Sequence, residues 1–229
     1  MKRSIDVIIV SNAKTDELYN TTIDSINTLM ESQIQNINYN IVVMESTKGI
    51  SYKHARVVDV SDLEFNYSKF LNMGRKMGDS EFVTLCNNDL IFFDEFWSTS
   101  IINEMDKDHS LMSACPLELS TQPNSGILPN TGLHYGYEVR KQLNGWVIFQ
   151  KRSIYEKIGD LDEQFSFWYA DNDYGRTLEK LGIKHALVSN SYVTHLGSKT
   201  LKGISVFDRD YLTNFQVRAF SKKWPNGEL

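Results

Sequence analysis

The chain has 229 residues, 41% hydrophobic and 12% aromatic, and its 24 basic against 29 acidic side chains leave a formal charge of −5. That composition excludes a disordered tail, a collagen-like repeat and a disulfide-stapled miniprotein, and it gives no support to a nucleic-acid surface, which counterion release would favour in a basic chain. A chain of this length buries enough surface for one core, so one domain, or two closely packed halves, is expected.

Residues 5–10 are β-branched and almost continuously apolar, the pattern of a buried parallel strand, with Asp6 as the interruption. Residues 11–15 turn the chain. Leu18, Ile23, Ile26, Leu29 and Met30 then recur at helical spacing over 16–31. Strands are predicted at 40–45, 56–60, 81–86 and 111–115. Helices are predicted at 66–77, ending near Gly78, and at 94–106, with Asp94 as N-cap. This alternation implies right-handed βαβ units: an α/β fold with a mostly parallel central sheet flanked by helices. Ligands of such sheets bind beyond the carboxyl ends of the strands, which nominates the polar loops 11–15, 45–49 and 87–89.

Between 116 and 142, Pro116, Pro123, Gly126, Pro129, Gly132 and Gly136 break any period, and a loop this long is usually functional or mobile. Beyond it come a strand at 146–150, a short helix at 153–158 ending at Gly159, and a helix at 172–181 with Asp171 at its start and Gly182 past its end. Short strands at 184–188 and 192–195 follow. The last element is a helix at 208–220 carrying Tyr211, Leu212, Phe215 and Phe220, expected to pack on the core, with a dimer contact as the alternative. Cys86 and Cys115 form no CxxC pair and no zinc spacing, and read as buried thiols of a reducing compartment. No apolar run reaches 18 residues, so no integral membrane segment is expected and a cytoplasmic location is inferred.

There is no GxGxxG after the first strand, no Walker loop and no GxSxG elbow, which disfavours dinucleotide oxidoreductases, P-loop NTPases and α/β-hydrolases. Three features carry chemistry. Asn87, Asn88 and Asp89 follow an apolar strand, where a carboxylate suits Mg²⁺ or Mn²⁺ with positions left for diphosphate oxygens, although Asn and Asp also cap ordinary turns. Asp171 follows the aromatic run Phe165, Ser166, Phe167, Trp168, Tyr169; it can accept a proton from an attacking hydroxyl or simply cap its helix. His195 ends a strand before Gly197 and can hold a metal through one ring nitrogen or serve the core.

The order of these features resembles the inverting, family-2-type nucleotide-sugar glycosyltransferases of GT-A fold, over nearly the whole chain. Residues 5–11 (IDVIIVS) look like the opening nucleotide-binding strand, and 41–47 (IVVMEST) like the second strand with its acidic end. Asn72, Met73 and Gly74 are similar to an N-x-G helix segment, and Asn87, Asn88 and Asp89 to a variant of the DxD metal motif. Residues 145–152 (GWVIFQKR) with 158–165 (IGDLDEQF), then 171–176 (DNDYGR), then 193–198 (VTHLGS), resemble the later motifs in family order.

The resemblance implies a nucleotide-sugar-binding half at 1–115 and an acceptor and catalytic half at 116–229, in one domain. It implies Asp171 as general base, Asp89 and His195 as ligands of Mn²⁺ or Mg²⁺, and Ser11, Glu45, Asn72, Asn87 and Asn88 on the donor side, with Ser11 and Glu45 at the nucleoside. Trp146, Trp168, Tyr169 and His134 are expected on the acceptor side. The acceptor would be a carbohydrate, a protein or a modified nucleobase, and the donor most commonly a UDP-sugar. Asn87 stands where the family often has a first carboxylate, and Ala170 where it often has Glu. The competing readings are a non-catalytic sugar- or protein-binding module on the same scaffold, and a nucleotidyltransferase, which would carry a glycine-rich loop where this chain has residues 11–15. The oligomeric state is not written in the sequence.

Overall fold

The structure is a computed structural model that describes residues 2–34, 36–119, 126–197 and 206–225, the side chains of 206–209, 211 and 212 excepted. Pro123 of the long loop, Ser198 and Lys199 after His195, and the side chains of Tyr211 and Leu212 lie outside the described residues.

The first half is a βαβ series. It runs β1 (Arg3–Ser11), α1 (Asp16–Glu31), β2 (Ile37–Glu45), β3 (Ala55–Asp59), α2 (Tyr67–Arg75) and β4 (Phe82–Asn87). These strands lie parallel in the order β3-β2-β1-β4. A two-residue strand β5 (Leu90–Ile91), α3 (Trp97–Lys107) and β6 (Leu111–Glu118) follow. The second half adds β7 (Leu133–Tyr135), β8 (Val147–Lys151), a 3₁₀ turn, α4 (Tyr155–Ile158), α5 (Ala170–Lys180), β9 (Lys184–His195) and α6 (Val206–Lys223).

The parallel series stops at β4. β8 inserts antiparallel between β4 and β6, β9 runs parallel to β6, and β5 and β7 pair antiparallel with β9. The sheet is therefore mixed, and a strand of the second half sits inside it. The predicted strands at 184–188 and 192–195 are one continuous β9, with a register shift against β6 between them.

Alternation along β1 builds two cores. Ile5, Val7 and Ile9 face α1 and α3, packing with Ile26, Leu29, Trp97 and Ile101; Ile8 and Val10 face the other layer, with Phe70 and Leu71 of α2 and Tyr174 and Leu178 of α5. A strand buried on both faces reads as a continuous apolar run, which is why 5–10 was legible. Asp6 is buried too. It pairs with Arg152 and accepts from Ser80 Oγ at 2.6 Å and Asn40 Nδ2 at 3.0 Å, so its charge is matched rather than solvated. α2 lies close on the sheet because Gly74 has no side chain; a Cβ there would stand 2.4 Å from Ile8 Cγ2.

Helix starts show where local signals hold. Thr15 caps α1, accepting from Leu18 N at 3.3 Å, and Asn66 caps α2, accepting from Lys69 N at 3.0 Å. Asp94 does not cap α3. The helix begins at Trp97, and Asp94 instead forms the preceding turn, accepting from Phe96 N and from Tyr192 N of β9. Cys86 and Cys115 are buried free thiols, as expected. Among the described residues no helix is long and apolar enough to cross a membrane.

Candidate active site

β1 and β4 are parallel neighbours with Val10 opposite Asn87, so Ser11 and Asn88 emerge at one edge of the sheet. β8 runs antiparallel with Val147 opposite Cys86, so its entry residues Gly145 and Trp146 reach the same edge. β9 ends at His195, paired with Leu90 just after Asp89. α5 begins here as well. The result is a cleft of about 320 Å³ at the carboxyl ends of β1 and β4, where an α/β sheet presents its ligand site.

Asp89 and His195, both buried, form one wall. Asp89 Oδ1 stands 3.1 Å from His195 Nε2 yet accepts no hydrogen bond among the described residues. The imidazole is packed on one face and the backbone around the pair is tied down. The Trp146 ring stacks on it at 4.9 Å between centroids and 4° between planes, Glu118 Oε1 accepts from His195 N at 3.1 Å, and Leu196 N donates to Asp89 O at 2.9 Å. A carboxylate oxygen without a hydrogen-bond donor beside an imidazole nitrogen fits a divalent cation. Among the described residues no group of three or more His, Cys, Asp or Glu converges, so the pair would supply two side-chain ligands and leave the remaining positions to diphosphate and water.

Asp171 lies in the first turn of α5. It is not the N-cap: Tyr169 holds that position in the left-handed region, at φ 61°. Asp171 Oδ1 accepts from Asn172 N at 2.9 Å, and the carboxylate presses on the bare Cα of Gly145, where a Cβ would be 2.4 Å from Oδ2. Burial pushes its pKa above the ordinary carboxylate value, opposed by the Asn172 N–H and by the Arg140 guanidinium. Burial, and then the nearby acidic groups, push the Tyr67 phenol up, and its hydroxyl donates to Asn87 Oδ1 at 2.9 Å.

The aromatic wall before Asp171 is fastened by α6. Buried Gln216 Oε1 accepts from Phe167 N at 3.2 Å and Trp168 N at 2.6 Å, and its Nε2 donates to Ser166 Oγ at 2.9 Å. Phe220 stacks on Tyr169 at 5.1 Å, and Trp224 Nε1 donates to Asp173 Oδ1 at 2.8 Å. The last helix thus packs on the core and shapes the site.

Of the residues singled out in the sequence, Ser11, Asn87, Asn88, Asp89, Trp146, Trp168, Tyr169, Asp171 and His195 line this cleft. Glu45, Asn72 and His134 do not. Glu45 is fully buried and accepts from Ala13 N at 3.0 Å, Thr47 N at 2.8 Å and Tyr52 OH at 2.7 Å, bonds that order the loops around it. Asn72 clasps the 161–163 segment, exchanging hydrogen bonds with Leu161 O and Leu161 N at 2.9 Å each. His134 Nε2 lies 2.7 Å from Thr131 Oγ1 on the far strand β7. Trp146 lines the cleft with its ring stacked on His195.

Sequence reasoning missed Tyr67, Phe65, Phe167, Gly145 and Arg140, which also line the cleft. It also missed Thr22 on α1, whose hydroxyl lies 3.0 Å from Ser11 Oγ and accepts from Asn88 Nδ2 at 2.9 Å. Only Gly145, inside a quoted motif, and Phe167, inside the aromatic run before Asp171, carried a signal.

No protein-family model matches the chain. The chain is 19% identical over 237 aligned positions to the O-antigen biosynthesis protein RfbC of Myxococcus xanthus, covering 91% of this chain but 18% of that protein, so it spans about a fifth of that relative. Among solved structures it is similar to GalNAc-T7 with UDP, GalNAc and Mn²⁺, at TM-score 0.65 and 12% identity over 85% of this chain and 44% of that one. It is also similar to a Drosophila beta-1,4-galactosyltransferase 7 mutant with manganese, UDP-Gal and xylobiose, at TM-score 0.52 and 9% identity over 92% and 79% of the two chains. The fold is that of GT-A glycosyltransferases.

Proposed function

We propose that this chain transfers a sugar from a UDP-linked donor to a carbohydrate hydroxyl, with inversion at the anomeric carbon. The observation that carries the reading is the convergence of the Asp171 carboxylate and the Asp89–His195 pair on one cleft of a GT-A fold. The UDP and manganese in the similar structures support the donor and cation, and the xylobiose in one of them supports a carbohydrate acceptor.

Asp171 accepts the acceptor hydroxyl's proton while that oxygen bonds to the anomeric carbon. The bond from that carbon to the donor's phosphate oxygen breaks, and its electron pair leaves with the nucleoside diphosphate. Burial makes Asp171 a stronger base than a solvated carboxylate, and its place against Gly145 sets the direction of its free oxygen. Asp89 and His195 would hold Mn²⁺ or Mg²⁺, and Trp146 keeps the imidazole plane fixed for that role. A divalent cation bound there supplies Lewis-acid charge to the leaving diphosphate. Ser11, Asn87 and Asn88 form the donor side, and Trp168 and Tyr169 offer aromatic surface for a sugar ring.

Asp171→Asn keeps the shape and removes the proton acceptor. Transfer should fall roughly 10²–10⁴-fold while UDP binding stays within twofold. Wild-type turnover in that variant would take Asp171 out of the mechanism.

A further inference from the structure

The cleft contains one permanently cationic side chain among its described lining residues, Arg140. Its guanidinium is exposed and makes no hydrogen bond or ion pair among the described residues, although it lies close enough to Asp171 to lower that group's pKa. Its presentation is built. Arg140 sits in the left-handed region at φ 65°, a conformation that a non-glycine residue keeps only where its surroundings impose it. Here a tight turn does so. Glu138 O accepts from the amides of Lys141, Gln142 and Leu143 at 3.0–3.2 Å, and Arg140 N donates to Leu143 O at 2.8 Å. Buried Leu143 anchors the turn below, and His185 Nε2 lies 3.0 Å from Gln142 O.

We propose that Arg140 is a specificity-determining residue for an anionic acceptor, a sugar bearing a carboxylate or phosphate near the hydroxyl that reacts. The inference rests on the transferase reading and deepens it. Asp89 and Asp171 make the cleft negative, so an acidic sugar would be repelled from the base unless a cation met it there. Arg140 lies on the Asp171 side, where the acceptor hydroxyl must be. A planar guanidinium free of protein partners matches the two oxygens of a carboxylate or phosphate. The diphosphate has its own counter-charge in a cation on Asp89 and His195.

The test is ligand binding by calorimetry, with UDP and Mn²⁺ present, on three matched pairs: methyl glucoside and methyl glucuronide, methyl galactoside and methyl galacturonide, glucose and glucose 6-phosphate. At least one anion should bind tenfold or more tightly than its neutral partner. The first two pairs and the third separate carboxylate from phosphate recognition. Arg140→Ala should erase the preference, Arg140→Lys should keep part of it, and the Kd for UDP with Mn²⁺ should stay within twofold in both. No preference in any pair, with UDP binding intact, overturns this inference and leaves the transferase reading standing. A parallel loss of UDP binding in Arg140→Ala assigns the guanidinium to the donor and overturns it too. Absence of UDP binding in the unaltered protein removes both.

Discussion

Gly145→Ala separates the position of the base from its chemistry. The glycine is not in the left-handed region, so alanine costs no backbone strain there. The added Cβ would stand 2.4 Å from Asp171 Oδ2, 2.7 Å from its Cβ and 2.8 Å from its Cγ, against an ordinary contact that begins at 3.4 Å. Because the clash includes the Asp171 Cβ, turning the carboxyl alone does not relieve it, and the side chain has to shift by about 1 Å. A displacement of that size at a reacting group costs on the order of 10²-fold in rate, or about 2.7 kcal/mol of transition-state stabilisation. The variant should therefore lose about 10²-fold in single-turnover transfer, with UDP affinity and far-ultraviolet circular dichroism unchanged. On an Asp171→Asn background the same substitution should add almost nothing, since the two changes act on one group. Turnover of Gly145→Ala within twofold of the unaltered protein would refute the placement of the base.

The remaining predictions concern buried groups. His185, between Ser113 Oγ at 2.8 Å and Gln142 O, has its pKa lowered to about 4 by burial, so the folded state keeps it neutral where the unfolded state protonates it. Stability is then fully present above about pH 6.5 and declines by up to about 3 kcal/mol as pH falls toward 4, with no further loss from this group below that. Urea denaturation across pH 4–7 should show this slope, and His185→Gln should flatten it; an unchanged slope would assign the acid sensitivity elsewhere. Glu45→Leu leaves two amides and the Tyr52 hydroxyl without their acceptor and should cost about 3 kcal/mol in the same assay. Full stability with lost nucleotide binding would return Glu45 to the nucleoside.

The placement of Asp89, Asp171 and His195 around one cleft was legible because each joins a local signal, a strand end or a helix start, to a side chain with a chemical use. Glu45 and Asn72 gave the same local signal but lie outside the cleft, hydrogen-bonded within the protein. What decides their roles lies elsewhere in the chain: the Tyr52 hydroxyl and two loop amides for Glu45, Leu161 for Asn72. Alternation announced β1, β2, β3 and β4 and a mostly parallel sheet, since βαβ crossovers place strands side by side in one direction. The insertion of β8 between β4 and β6 has no local mark, because strand order is fixed by long-range pairing. Arg140 was hidden for a related reason: a turn held by three amides on one carbonyl is a tertiary fact inside a stretch that reads as loop. Gln216 carried no signal in the sequence, and only packing shows that it holds the wall beside Asp171.

The central claim is a nucleotide-diphosphate site built on Asp89 and His195. Calorimetric titration of UDP into the protein, with and without Mn²⁺, alongside Asp89→Ala and with GDP and dTDP as competitors, tests it directly. The account predicts UDP binding that strengthens tenfold or more with Mn²⁺ and loses that gain in Asp89→Ala. Binding indifferent to Mn²⁺, or a full Mn²⁺ effect retained in Asp89→Ala, would contradict it.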